Sequence, residues 1–316
     1  MVARRGRWFR RGLECWRFCR SPAWSAPART FGRRATSCRT RTRCAENKLT
    51  RERGRGEDLI AFAPRWTDPI GREIFGDGLT ATLERVARAD VSRFPRAFEV
   101  SIRGKHDPEL APWRVASEER AGGVTVRVLE NPSYAPTLDD LLRHVSPSPD
   151  GMTAARRDAR DQSETPCQWS PGGAMAGGLG AGPAIPSERF GCPSGAVGVS
   201  VAADLDYYPR RCLLATPPGG AHALVLTFKN VKFGEVLHGH HGLYVEAERG
   251  KDGPDVSLSF RSGDVRLGKV VHRDGEGWKA FDLPTNELKG KTADLVAEVT
   301  APSANRRMYC FEGITR

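Results

Sequence analysis

The fold of this chain is decided by residues 256–272, which read VSLSFRSGDVRLGKVVH. Val256, Leu258 and Phe260 alternate with serines, as in a strand that turns one face to a core and the other to water. A Ser-Gly-Asp turn follows, and apolar residues then recur from residue 265 to residue 271. This pattern predicts two strands joined by a tight turn, which is a β-hairpin.

The same period of two residues recurs through most of residues 165–316, and Gly/Pro/Asp turns separate the runs. Further strands are predicted over residues 197–201, 224–228, 243–247, 278–283, 295–299 and 308–311. A helical period is almost absent from this part of the chain. The fold class is therefore mainly β, with a jelly-roll-like β-sandwich over residues 165–316.

Residues 57–135 are predicted to form a small α/β unit. Apolar or alternating runs at 59–63, 98–102 and 124–128 predict three strands, and the spacing of apolar residues over 79–89 predicts a helix. The unit contains no glycine-rich phosphate-binding motif, so it is not expected to bind a nucleotide.

Two further segments are predicted to lie outside these domains. Residues 1–56 form a disordered basic leader, because no hydrophobic period persists there. Residues 136–164 form a linker, because their Ser-Pro and charged residues leave little to bury.

The distribution of charge argues against nucleic acid as a partner. Residues 1–55 hold 17 Lys/Arg and 3 Asp/Glu, whereas the rest of the chain holds 32 and 35. A nucleic-acid-binding domain carries its basic residues on a folded face. No apolar run typical of a signal peptide follows the arginines, and the longest uncharged stretch, 165–187, is rich in Gly and Pro. No transmembrane segment is therefore expected.

Four cysteines lie in the predicted sandwich and allow three pairings. We favour Cys167 with Cys192 and Cys212 with Cys310, and free buried thiols are the alternative. Disulfides indicate an oxidising compartment, so we expect the chain to be extracytoplasmic, either periplasmic or associated with a membrane.

The histidine-rich stretch at 238–242, HGHHG, is a candidate metal site. In an extended segment His238 and His240 share one face and can share an ion. A third ligand, His222 or His272, stands at no motif spacing, so neither a metal nor any other cofactor is expected. The alternative is a turn in which glycine provides a positive φ and the histidines bond to the backbone.

Glycan contact is the favoured use of the sandwich surface. An aromatic platform can be built from Tyr207, Tyr208, Tyr244 and Trp278. We predict one shallow contact surface, in which Tyr244 is at least partly exposed, formed by Tyr244, Trp278, His240 and His241. Calcium is a weaker possibility for the acidic residues around a Gly-Pro turn, which are Glu246, Glu248, Asp252 and Asp255.

An enzymatic site is the alternative for the α/β unit. Ligands of such units bind beyond the carboxyl ends of the strands, where Asp68, Arg103 and His106 are expected to converge. The unit has no Gly-x-Ser-x-Gly elbow, so a serine hydrolase is not supported.

Several short stretches resemble a known family. They are GEDLIAFAPRW at 56–66, RRC at 210–212, GHHG at 239–242, DGEGWK at 274–279 and YCF at 309–311. Over about residues 57–316 the chain resembles the soluble C-terminal region of bacterial membrane glycosyltransferases that use polyprenyl-phosphate sugars, the protein-mannosyltransferase-like group. That family's chemistry implies an acidic pair on a loop between membrane helices, so no catalytic residue can be carried over. The resemblance implies an accessory region of a glycosyltransferase.

The sequence therefore predicts a non-catalytic extracytoplasmic module, with a glycan or a membrane glycosyltransferase as its partner. The alternative is a stand-alone enzyme that uses the α/β loops.

Overall fold

The computed structural model describes residues 58–68, 71, 87–172, 185–186 and 188–316. The chain divides into two compact units: unit 1 comprises Met1–Thr80 and Phe94–Pro132, and unit 2 comprises Ala81–Arg93 and Ser133–Arg316. The predicted leader lies outside the described residues, as does most of the helix predicted over 79–89. Residues 87–89 are described and are not helical.

Unit 1 contains a four-stranded sheet in the order β1-β2-β4-β3. Its strands are β1 Leu59–Ala63, β2 Arg96–Ile102, β3 Arg114–Ala121 and β4 Val124–Glu130. β1 runs parallel to β2, and the other pairs are antiparallel. The three strands predicted from apolar runs are present. β3 was not predicted, because its sequence RVASEERA is mostly charged and has no apolar alternation.

Unit 2 is a β-sandwich of two sheets. The first sheet has the order β16-β13-β18-β11-β10-β9-β8, with β5 paired to β18, and the second has the order β15-β14-β17-β12-β6-β7. The strands are β5 Asp139–Asp140, β6 Met152–Asp158, β7 Glu164–Pro166, β8 Gln168–Ser170, β9 Arg189–Cys192, β10 Gly195–Ala203, β11 Pro209–Ala215, β12 His222–Lys232, β13 Val236–Leu243, β14 Val256–Ser262, β15 Val265–His272, β16 Lys279–Pro284, β17 Thr292–Thr300 and β18 Tyr309–Thr315. The mainly β fold class with a C-terminal sandwich is confirmed.

The apolar residues of the alternating strands meet between the two sheets. Leu258 and Phe260 of β14 and Leu226 of β12 enter this core from one sheet, and Phe281 and Phe311 enter it from the other. The β14–β15 hairpin predicted from residues 256–272 is present, with Ser262 opposite Val265.

The linker predicted over 136–164 is wrong. β6 lies in this range and pairs along its length with β12, and β5 pairs with β18. Met152 and Ala154 of β6 are buried in the core, as are Leu141 and Leu142 before it. β6 has only these two well-buried positions and ends in arginines, so its sequence is too charged to indicate a strand.

The strand predicted over 243–247 is also wrong. The HGHHG stretch lies inside β13, and the chain then forms a short helix, α1, at Val245–Gly250. Alternation of Leu243, Val245 and Ala247 spans too few residues to separate a period of 2 from one of 3.6.

Two disulfides join the predicted cysteines. Cys167 is bonded to Cys192, and Cys212 on β11 is bonded to Cys310 on β18. The favoured pairing is therefore confirmed, and two disulfides are typical of a protein that folds in an oxidising compartment. Among the described residues, no helix is long and apolar enough to cross a membrane.

Candidate functional site

The HGHHG stretch forms part of β13, between β16 and β18. Because side chains alternate along a strand, His241 faces the core while His238 and His240 face the opposite side of the sheet. The extended alternative of the sequence analysis is therefore correct for this stretch, and the turn alternative is not.

His241 is enclosed in the core. Its Nδ1 lies 2.8 Å from the Tyr309 hydroxyl, and its ring contacts His272 and Phe281 edge-on. Burial, followed by the nearby His272, lowers the pKa of His241 to about 3. A buried neutral imidazole cannot contact a glycan at the surface, so His241 does not belong to a contact surface.

Glu248 of α1 is fully buried beside this histidine pair. Its Oε1 lies 2.6 Å from His272 Nε2 and accepts the Leu243 N–H at 3.1 Å, while Oε2 accepts the Gly275 N–H at 2.7 Å. Burial alone would raise the pKa of Glu248, but these hydrogen bonds, led by that of His272, lower it. Glu248 therefore ties α1 to the β15–β16 turn and is not available as a surface calcium ligand.

The opposite face of β13 carries a polar cluster. His238 Nδ1 lies 2.8 Å from Asp282 Oδ1, and His240 Nδ1 lies 2.8 Å from Glu312 Oε1. Asp90 belongs to the first part of unit 2, Ala81–Arg93, and its Oδ2 lies 3.5 Å from His238 Nε2. We name Asp90, His238, His240, Asp282 and Glu312 the histidine cluster.

The third ligand proposed for these histidines was not found where it was expected. His272 faces the core, and His222 pairs with Asp158 at 3.5 Å. Asp90 takes the third position instead, and its ligand atom lies with those of His238 and His240 within 4.8 Å of one another. No local pattern could have found Asp90, because the second part of unit 1 and the strands β5 to β12 separate it from β13 in the chain.

Tyr244 is 3% exposed, so its predicted exposure is wrong. It follows β13, precedes α1 and packs with the buried Cys212 and Cys310, against the half-buried Trp278. Tyr244 was predicted to be exposed on the assumption that the strand continued past Leu243. The chain instead begins the helix α1 directly after Tyr244, so the alternation of a strand does not apply to it.

Trp278 is only partly available. The His240 ring stacks on its indole at 6.0 Å with an interplanar angle of 4°, and its Nε1 donates to the Ala89 carbonyl at 3.3 Å. The structure therefore brings Trp278 and His240 together but buries Tyr244 and His241. Tyr207 is the exposed aromatic of the predicted platform: it is 53% exposed and stacks on the Arg249 guanidinium at 4.3 Å.

An open polar cavity lies where β17 turns into β18 and where α1 leads to β14. Its volume is about 450 Å³, and it is lined by Asp252, Gly253, Pro254, Ser303, Asn305, Arg306 and Arg307. A neighbouring cavity of about 220 Å³ shares Arg306 and adds Glu246, Ala247 and Met308. We name the larger cavity together with its neighbour the loop cleft.

Arg307 fixes the floor of the loop cleft. Its buried guanidinium pairs with Asp274 and donates to the Pro254 carbonyl at 3.3 Å. Gly253 is required here because a Cβ at this position would overlap the guanidinium, and the Gly253 N–H donates to Asp274 at 2.8 Å. Burial would raise the pKa of Asp274, but the bonds from Arg307 and Gly253 lower it. The Arg307–Asp274 pair and its hydrogen bonds thus hold together the two loops of the cleft, residues 252–254 and 303–307.

The rim of the loop cleft is exposed and chemically available. Asp252, Ser303, Asn305 and Arg306 are exposed. Within the described part of the chain, neither Asp252 nor Arg306 forms an ion pair. Arg306 has a φ of 54°, an unusual conformation for a residue with a side chain and one that occurs at binding loops. Sequence analysis missed the cleft, because its loop residues carry no pattern apart from Asp252.

The residues predicted for an enzymatic site lie in unit 1. Asp68 is buried, whereas Arg103 and His106 are exposed on the turn after β2. His106 Nδ1 lies 2.9 Å from Oε2 of the buried Glu99, which also accepts from Arg127 Nε at 2.7 Å. Glu99 is buried because both faces of β2 are covered. The alternating sequence of β2 predicted one buried and one exposed face. The stand-alone enzyme stays a prediction, with Glu99 as the partner of His106.

The chain matches no protein-family model and no curated protein. Among solved structures it is similar to the C-terminal CBM6 of LamC, a marine laminarinase from Zobellia galactanivorans, with 11% identity over 52% of this chain and 99% of that one and a TM-score of 0.23. It is also similar to the CBM51-2 and INT domains of ZmpB from Clostridium perfringens, with 9% identity over 83% of this chain and 47% of that one and a TM-score of 0.29. A third is Xylanase10C from Cellvibrio japonicus, at 7% identity over 52% and 26% of the two chains and a TM-score of 0.25. These neighbours include carbohydrate-binding modules, but TM-scores this low do not bear on what the present chain binds.

Proposed function

We propose that this chain is a non-catalytic, extracytoplasmic module that binds a glycan in the loop cleft of unit 2. The observation that carries the proposal is a polar, open cavity of about 450 Å³ whose rim presents a carboxylate, an amide, a hydroxyl and a guanidinium that forms no ion pair with the described residues. Ligand sites typically have volumes of roughly 300–1,000 Å³ with a few convergent polar groups.

The rim chemistry suits sugar hydroxyls. A carboxylate such as Asp252 accepts from two hydroxyls, and the fork of donors on Arg306 can bind neighbouring oxygens together. The buried Arg307–Asp274 pair supports this rim, so little ordering is needed on binding.

The two disulfides support the extracytoplasmic location. An accessory role beside a membrane glycosyltransferase, which the sequence resemblance implies, stays a prediction. The site first predicted around Tyr244 is not proposed again, because two of its four residues are buried.

Replacing Arg306 with alanine is expected to weaken glycan binding by about tenfold to a hundredfold, because a hydrogen bond to a charged group contributes roughly 1.5–3 kcal/mol. The full chain is first screened on a glycan array and against soluble polysaccharides, and the affinity of a positive ligand is then measured by calorimetry.

The matched control is Arg266→Ala, which removes an exposed arginine from β15. Unchanged affinity in this variant, with a loss in Arg306→Ala, supports the loop cleft. An array with no bound glycan, or equal losses in the two variants, overturns the proposal.

A further inference from the structure

The histidine cluster has the organisation of a metal site and lies apart from the loop cleft. Both histidines are oriented by carboxylates: His238 bonds to Asp282 and His240 bonds to Glu312, each through Nδ1. This arrangement fixes each ring and leaves Nε2 as the nitrogen that can coordinate. Metal-binding histidines are commonly held by a carboxylate in this way.

The coordinating atoms converge on one point. His238 Nε2 lies 3.5 Å from Asp90 Oδ2, and the His238 and His240 rings lie edge to face at 5.2 Å. Zinc bonds to nitrogen and oxygen are about 2.0–2.2 Å long, so two ligands of a tetrahedral zinc stand about 3.3–3.5 Å apart. The Asp90–His238 pair already has this spacing, and the ligand atoms of Asp90, His238 and His240 all lie within 4.8 Å of one another.

Two buried polar atoms of the cluster have only long ion-pair contacts. His238 Nε2 lies 3.5 Å from Asp90 Oδ2 and Glu312 Oε2 lies 3.8 Å from Arg93, and neither atom forms a hydrogen bond with the residues that the structure describes. A buried polar atom without a hydrogen bond is costly, and it is uncommon in a folded protein. For His238 Nε2, a bound cation shared with Asp90 removes that cost directly.

The local charge also favours a cation. Carboxylates outnumber guanidiniums here, four to three. The carboxylates are those of Asp90, Asp140, Asp282 and Glu312, and the guanidiniums are those of Arg93, Arg143 and Arg316. Excess negative charge in a mostly buried cluster is unfavourable unless a cation pairs with it.

We propose that Asp90, His238 and His240 bind one divalent first-row transition metal ion, with Zn²⁺ as the reference ion. Two imidazole nitrogens and one carboxylate oxygen suit such ions, whereas Ca²⁺ takes six to eight oxygen ligands. Three protein ligands leave a fourth position open to water or to an external group. Asp282 and Glu312 act as positioning residues.

The ion also joins separate parts of unit 2. Asp90 belongs to Ala81–Arg93, the part of unit 2 that lies between the two parts of unit 1 in the chain, while His238 and His240 belong to β13. Metal binding therefore fixes residues 87–93 against the sheet and stabilises the folded state by an amount that grows with the logarithm of the free ion concentration once that exceeds the dissociation constant.

The test uses the full chain after removal of metal with EDTA and alkylation of the thiols of Cys15, Cys19, Cys38 and Cys44, since free thiolates bind zinc themselves. Zn²⁺ binding is measured by calorimetry, and Co²⁺ binding by its absorption spectrum. We expect one ion per chain, a rise in Tm on adding Zn²⁺, and no such response to Ca²⁺.

His238→Gln and His240→Gln are each expected to weaken Zn²⁺ binding by about 100-fold or more, and Asp282→Asn by about tenfold to a hundredfold. Asp282 is 63% exposed in its side chain, so this variant tests the site even if the histidine variants fail to fold. The matched control is His222→Gln, which removes a histidine that also pairs with an aspartate on a strand of unit 2.

Loss in the cluster variants with normal binding in His222→Gln supports the site. A Zn²⁺ dissociation constant above about 1 mM in the wild type overturns the proposal. In that case His238 is a protonated partner of Asp90 and Asp282 and holds no metal. Equal binding of Ca²⁺, or equal loss in the control, overturns it too. None of these outcomes depends on glycan binding.

Discussion

Replacing Glu248 with alanine is expected to lower the free energy of unfolding of unit 2 by about 3–5 kcal/mol, because it leaves buried donors unpaired. The carboxylate accepts from His272, Leu243 and Gly275 in a site that water does not reach. In a unit of this size the loss corresponds to a fall of about 10 °C in Tm. Urea denaturation followed by circular dichroism measures it.

Glu246→Ala is the matched control, since Glu246 lies on the same short helix but is exposed. Its free energy of unfolding should stay within about 0.5 kcal/mol of the wild type. If the two variants differ by less than that, Glu248 does not hold α1 to the β15–β16 turn.

The contribution of Glu248 should also depend on pH. Its pKa lies below the ordinary value of 4.5, so its stabilisation is fully present above pH 4.5 and is lost as pH falls through the lower folded value. We therefore expect the stability difference between wild type and Glu248→Gln to shrink on acidification below pH 4.5. A difference that is constant or grows toward acid contradicts this assignment.

Removing the disulfide between Cys212 and Cys310 is expected to destabilise unit 2 by about 4–5 kcal/mol, because the bond closes a long loop of the unfolded chain. Its sequence separation is 98 residues, compared with 25 for Cys167–Cys192. The loop-closure model puts the loss for the shorter loop at about 3–4 kcal/mol. The comparison is made with the two double Cys→Ser variants by denaturant unfolding under non-reducing conditions.

The sharper test is which of the two double variants loses more free energy of unfolding. Both Cys212 and Cys310 are also fully buried, so their replacement by serine adds a packing loss in the same direction. A Cys167→Ser/Cys192→Ser variant that is less stable than the Cys212→Ser/Cys310→Ser variant contradicts the argument. Four reactive thiols at these positions in the oxidised protein would mean that neither disulfide forms, which contradicts the whole argument.

Local patterns in the sequence predict the parts of this fold that local physics determines. The β14–β15 hairpin follows from alternation and a Ser-Gly-Asp turn, and the shared face of His238 and His240 follows from the pleat of a strand. The cysteine pairing was favoured from where the residues lie along the chain, although spacing alone left three possibilities open.

The wrong or missing predictions concern contacts between residues that are distant in the chain. β6 is a strand because it pairs along its length with β12, and its own sequence has only two well-buried apolar positions before three charged residues. Glu248 was considered as a calcium ligand beside a Gly-Pro turn, but it is buried, and its burial is offset by donors from His272 and Gly275, more than twenty positions later. Asp90 and His238 meet only in the folded unit, because Phe94–Pro132 of unit 1 and the strands β5 to β12 lie between them in the chain.

The position of β18 in the first sheet has a consequence for biosynthesis. This strand, Tyr309–Thr315, lies between β13 and β11 and also pairs with β5, so three earlier strands need it as a neighbour. During translation, the backbone groups of these strands that face β18 stay unpaired until residues 309–315 leave the ribosome. An exposed edge is a template for pairing with other chains. Nascent chains that stop before β18 are therefore substrates for chaperones or proteases rather than shorter working modules.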